Sequence, residues 1–362
     1  MKKKSRAAGI DLFRGLAIYA VVILHSDEGI SVLPPVWKEI LQFAGFAVPF
    51  FLATSFYLAI NKLYISGGQY PLKTRLIRLL IPYGFWSCIY LLYKGTKYLM
   101  DRDLDKLNKL FHDPLSIFFF GGAAFHLYFL PLLISGTLLI KFSEYLIKKQ
   151  LHLKTLLFLC ILTFTVYELL LVSGNSFQLG SDIAFQPLLD STFPHGNKNP
   201  LVRLVLGELA WMLRCLPYIF VAMILSHPRV RERFLKPNPN YISIFLLIFF
   251  VFNLWGGAFL PEALYEVARG YLAFLLAISI STALKENPMI TNLGLCSFGI
   301  YLMHLIVVEA FQIIGNRVAP ETLNQPSTPI LLAISILSFM ISWMATSFFI
   351  KNKSISKLMF GS

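Results

Sequence analysis

Arg14 and His25 stand eleven residues apart, at the two ends of a run that is apolar from Leu16 to Leu24. On an α-helix eleven residues turn through about 1100°, three turns plus roughly 20°, so both side chains face one side. The same spacing rises about 16 Å, roughly half the hydrocarbon thickness of a bilayer. A guanidinium at a membrane surface suits an anionic ligand, and an imidazole near mid-depth suits proton transfer. The stripe predicts a helix that holds an anion at its mouth and does chemistry inside the membrane.

A second basic element carries Lys73, Arg75 and Arg78 and is followed by Pro82. Arg75 and Arg78 are three apart and share a helical face. Two guanidinium forks there suit phosphate groups, although ordinary surface charge on a membrane protein gives the same pattern. Further ionisable residues sit inside apolar runs: His126, Glu168, Glu208, Arg214, His304 and Glu309. A charge at the centre of a bilayer costs about 2.5–3.5 kcal/mol, so such groups usually face a protein interior and mark function. His25, His126 and His304 all fall in the middle-to-outer part of their runs, and one cavity lined by the three is expected. A structural hydrogen bond accounts for His126 and His304 equally well. The histidines lack the paired spacing and the Cys or carboxylate company of metal and haem sites, so neither a metal nor haem is expected.

The elements that position these groups must be membrane spans. Hydrophobic residues make up 56% of the 362 residues, with 33 Phe and 16 Tyr, and the mean hydropathy is +0.66. That composition argues against a soluble globular fold. The net charge of +13 reads as membrane orientation rather than a nucleic-acid partner. Cys88, Cys160, Cys215 and Cys296 lie in apolar stretches without metal spacing and read as reduced, buried thiols. Ten segments approach spanning length, near 10–26, 40–60, 80–98, 122–141, 155–173, 204–225, 241–260, 267–284, 293–314 and 329–350. The third is interrupted by Pro82, Trp86 and Lys94, and the fourth is preceded by a piece that Gly121 and Gly122 break off.

The expected fold is therefore an all-α polytopic bundle of about ten transmembrane helices. With ten spans both termini share a side, and that side carries 21 Lys and Arg residues against 10 on the other. The excess places both termini in the cytoplasm. No cleavage site follows the first run, so it is expected to be a retained span. Residues 1–362 read as a single membrane domain without an appended soluble part, and 174–203 reads as an external loop.

Four stretches, in order, carry a family resemblance. They are FRGLAIYAVVILHS with its Arg14…His25 spacing, VPFFLATSFYLA followed by RLIRLLIP, HLYFLPLLI from His126, and LGLCSFGIYLMH ending at His304. Together they resemble the acyltransferase 3 family of integral membrane acyltransferases, over nearly the whole chain. One departure stands out: Thr54-Ser55-Phe56 occupies the place where the family usually has Ser-Gly followed by an aromatic residue. Ser55 is small enough to keep a close helix approach there.

The resemblance implies an O-acyltransferase of surface polysaccharides or related glycolipids, in the plasma (inner) membrane. The donor would be a cytoplasmic acyl-CoA, most often acetyl-CoA. Arg14, Arg75 and Arg78 would hold its phosphates. His25 would act as general base on a sugar hydroxyl or accept the acyl group itself. His126, Tyr301 and His304 are candidates for orienting the acceptor or stabilising the oxyanion. A polysaccharide exporter, a flippase or a small-solute transporter is the rival class. Transporters often carry inverted repeats, and the sequence shows no such symmetry.

Overall fold

The computed structural model describes residues 7–30, 32–67, 69–173, 185–193, 195–196, 199–234 and 239–362. Among them every regular element is helical. In chain order these are α1 (Ala8–Leu24), α2 (Trp37–Ala44), α3 (Ala47–Ser66), α4 (Leu72–Met100), α5 (Leu104–Leu110), α6 (Phe129–Lys148), α7 (Leu153–Val172), α8 (Gln186–Thr192) and α9 (Pro200–Ser226). Then follow α10 (Pro228–Phe234), α11 (Ile242–Trp255), α12 (Glu262–Ala283), α13 (Pro288–Val318), α14 (Pro320–Asn324), α15 (Thr328–Phe349) and α16 (Lys353–Phe360). A π-helical turn, Ser116–Phe120, and a 3-10 turn, Phe125–Tyr128, lead into α6.

Eight helical stretches among the described residues are long and apolar enough to cross a membrane, so the chain is a multi-pass membrane protein. They begin at Trp37, Leu72, Phe125, Leu153, Pro200, Glu262, Pro288 and Thr328. The other two expected segments are the shorter helices α1, of 17 residues, and α11, of 14. Much of the expected external loop, 174–184 with 194 and 197–198, lies outside the described residues.

The third span starts earlier than its composition suggests. The basic stretch just before the expected 80–98 segment is the first two turns of α4, and Pro82 lies within that helix. Proline removes the donor that would bond the carbonyl four residues back, here that of Arg78. Gly361 meets this carbonyl from the C-terminal segment, in a left-handed conformation with φ +66°. A side chain at residue 361 would collide with it.

The chain forms two compact units. The first comprises 1–55 and 234–355, and the second 56–233 and 356–362. In the first unit α1 packs on α12, α13 and α15. Three glycines make these approaches close. Gly9 meets the Ala277 carbonyl and Ser281 of α12, Gly15 meets Leu293 of α13, and Gly294 of α13 meets Asp11. Small residues at such crossings let backbones approach where lipid offers no hydrophobic drive between helices. The Ser281 hydroxyl also accepts from the Gly9 amide at 3.0 Å, serving one of the first-turn N–H groups that a helix leaves unbonded.

In the second unit α9 packs on α6 and α7, and α4 on α6. Gly136 of α6 lies against the Phe56 ring and the Cys215 thiol. The Tyr83 hydroxyl donates to the Ile117 carbonyl at 2.6 Å and accepts from the Gly121 amide at 3.0 Å. It thereby ties α4 to the π-helical turn where Gly121 reverses the chain at φ +81°. Buried Arg203, on α9, forks onto both carboxylate oxygens of Asp113, at 2.6 and 2.5 Å.

Candidate functional site

The helix expected to carry the chemistry is the most enclosed of the first unit. Ala17, Ile18 and Val22 of α1 have no exposed surface. α1 and α13 run parallel, because Asp11 meets Gly294 near their beginnings and His25 meets His304 further along. Arg14 lies on the first half of α1, with 30% of its side chain exposed, and its Nη1 is 3.5 Å from Asp11 Oδ1. Asp11 itself is 2% exposed. The three-residue offset places the two on one helical face, so the carboxylate fixes the guanidinium from below.

At the other end, His25 closes α1 as its C-cap residue. Its ring lies against that of His304, with centroids 5.4 Å apart and planes inclined by 29°. His304 is fully buried on α13. Its Nδ1 is 2.7 Å from the Tyr301 carbonyl oxygen. A carbonyl only accepts, so Nδ1 carries the proton and Nε2 of the neutral ring bears a lone pair. The Tyr301 ring lies 6.2 Å from that of His304.

The segment after His25 is clamped. Gln312 Nε2 of α13 donates to the carbonyls of Ser26, at 3.2 Å, and Glu28, at 2.9 Å. The Ser26 hydroxyl donates back to the Val22 carbonyl at 2.7 Å. Asp27 is next in this turn, and burial pushes its carboxyl above the ordinary range while its own backbone and the Trp37 indole pull the other way.

Between Arg14 and His25 the same face of α1 carries Ile18 and Val21, both buried. The other face borders an apolar cavity of about 580 Å3 whose lining includes Leu12, Leu16, Tyr19, Ile23, Phe43 and Phe249. Neither Arg14 nor His25 lines it.

The remaining sequence candidates belong to the second unit. Arg75 and Arg78 are exposed on the first two turns of α4, and neither enters an ion pair among the described residues. Arg75 lies in the first turn of α4, where the helix dipole adds to its attraction for anions. His126 is buried in the 3-10 turn, edge-on to the Tyr90 ring at 4.9 Å. The structure thus brings His25, His304 and Tyr301 together within one unit, while His126 belongs to the other. Glu208 is half-buried and accepts from the Ser135 hydroxyl at 2.7 Å. Glu168, Arg214 and Glu309 are half-buried on α7, α9 and α13.

Sequence reasoning missed two residues that position the site. Asp11 was passed over although its i,i+3 spacing to Arg14 is a readable signal. Gln312 gave no signal, because its partners lie 284 and 286 residues away. No group of three or more metal-ligating side chains occurs among the described residues.

Comparison with known proteins bears on the chemistry of this arrangement. The sequence model of a family described as an acyltransferase domain matches residues 7–347. A protein named amino-acid racemase, from Enterococcus faecalis, is 33% identical over 140 residues, which is 38% of this chain and 19% of that protein. The chain thus spans about a fifth of the length of that curated relative. No solved structure matches. The family match takes in α1 with Arg14 and His25, the basic start of α4, His126, and α13 with Tyr301 and His304, and the chain belongs to the acyltransferase 3 family of membrane proteins.

Proposed function

We propose that this protein moves an acyl group, by default acetyl, from cytoplasmic acetyl-CoA to a hydroxyl of an extracytoplasmic glycan or glycolipid. The membrane is the plasma (inner) membrane, with both chain termini in the cytoplasm, as the excess of Lys and Arg on that side favours. The observation that carries the reading is the His25–His304 pair, in which His25 ends the helix that carries Arg14, about 16 Å further along it, and His304 faces it from α13.

The chemistry assigned to the chain is proton handling and anion binding. His25 takes the proton of the attacking hydroxyl as its oxygen bonds to the thioester carbon. The carbon–sulfur bond breaks, and the departing thiolate takes the proton back from the imidazolium. Arg14 in the first unit, and Arg75 and Arg78 in the second, are assigned to the donor's phosphates, for which guanidinium forks are suited. Tyr301, His304 and His126 are assigned to the acceptor or the developing oxyanion.

The test is thiol release from acetyl-CoA by purified protein given an acceptor glycan, with His25→Ala in parallel at equal protein level. The reading requires acetyl-dependent thiol release that the variant lacks. Undiminished release by the variant, or substrate movement without thiol release, refutes it. The second outcome is what an exporter would give. The NMR spectrum of the surface glycan, with and without the gene, reports the group added and the hydroxyl that receives it.

A further inference from the structure

Away from the histidine pair, a small cavity of about 350 Å3 opens beside the beginning of α13 and the end of α15. Its lining includes Asn292, Trp343, Ser347 and Lys351, with Met340, Met344 and Phe348. The amide of Asn292 is held in one orientation. Its Oδ1 accepts from the Trp343 indole at 2.7 Å and the Ser347 hydroxyl at 3.0 Å, with the Cys296 thiol at 3.7 Å. An indole N–H only donates, so the oxygen must face it and the amide NH2 must face away. That NH2 makes no hydrogen bond among the described residues. Lys351 is exposed and enters no ion pair among the described residues. A fixed double donor and an uncompensated ammonium thus stand at one mouth.

The apolar part of the lining has a direction. Met340, Met344 and Phe348 are 41%, 60% and 70% exposed. They recur every four residues along α15, a helix long and apolar enough to span a membrane, and so form one stripe on its surface. From Met340 to Lys351 the rise is about 16 Å, close to the depth of one leaflet of a hydrocarbon core roughly 30 Å thick. Flexible Met side chains suit an irregular alkyl partner.

We propose that this groove binds an anionic phospholipid, with its phosphate on the Asn292 amide and the Lys351 ammonium and one acyl tail along Met340, Met344 and Phe348. A soluble phosphate offers the same headgroup chemistry but leaves the stripe uncovered. The proposal rests only on α15 spanning the membrane, so it stands or falls separately from the acyl-transfer reading.

The test uses the full chain purified in detergent, with Tm followed as phosphatidylglycerol, phosphatidylcholine, CoA or inorganic phosphate is added. Asn292→Asp keeps the acceptor for Trp343 and Ser347 but replaces the donor with a negative charge. Lys351→Gln removes only the exposed cation. Phosphatidylglycerol should raise the wild-type Tm more than phosphatidylcholine does, and each substitution should cut that rise at least about twofold, as linkage requires of a weakened site. An equal rise in wild type and in both variants overturns the proposal. So does a rise given by CoA or inorganic phosphate that the variants lose, because the site would then serve a soluble anion.

Discussion

The imidazoles of His25 and His304 face each other with centroids 5.4 Å apart. Rings this close do not both become imidazolium readily, because like charges at short range repel strongly where water is scarce. One neutral ring is therefore on hand to take a proton. His25→Ala should lower acyl transfer by about 10²–10⁴-fold, the usual worth of a positioned general base. His304→Gln should lower kcat more than it alters KM for the donor. Steady-state thiol release at varied donor concentration separates the two.

Arg14 depends on Asp11. With the carboxylate 2% exposed and 3.5 Å away, the guanidinium has a fixed resting place. Asp11→Asn keeps the shape but removes the charge, and should raise the donor KM about tenfold, the equivalent of roughly 1.4 kcal/mol. Arg14→Ala should raise it further and leave acceptor choice unchanged. Equilibrium binding of CoA to the purified variants is the check.

Gln312 tests whether the turn after α1 matters to the chemistry. Its two bonds, to the Ser26 and Glu28 carbonyls, hold the residues that follow His25. Gln312→Ala should slow the chemical step about tenfold, since small displacements of a catalytic group cost rate steeply, without changing donor affinity. Single-turnover rates measured beside CoA binding would show the split.

The Arg203–Asp113 fork concerns stability. Both side chains are 10% exposed. Removing one partner leaves an uncompensated buried charge, which costs about 3–5 kcal/mol. Asp113→Ala and Arg203→Ala should each lower Tm markedly, and the double variant by less than their sum. Thermal unfolding in detergent, read as a double-mutant cycle, measures this coupling.

How legible these features were depended on how far apart the partners lie in sequence. Apolar runs locate spans, and each of the ten expected segments falls on a helix. Periodicity placed Arg14 and His25 on one face, but not His25 against His304, whose partners are 279 positions apart in the numbering. The resemblance marked His304 as a candidate without saying what it touches. Composition starts the third segment only at 80, although Arg75 and Arg78 already share a helical face just before it. Helical hydrogen bonding continues there because an exposed arginine is a good helix former and Pro82 costs the helix only locally. Asp113 and Arg203 each looked like loop charge, since nothing local announces a partner 90 residues away.

The glycine notches around α1 have a mechanical consequence. Gly9, Gly15 and Gly294 each sit where even a methyl group would strike a neighbouring residue. A slide of one residue along the axis, about 1.5 Å, would bring side-chain-bearing positions into those notches. This helix therefore cannot work as a piston or screw during turnover. On the proposed function, any opening that admits a substrate is expected to come from parts that are not wedged, with α1 as the stationary post.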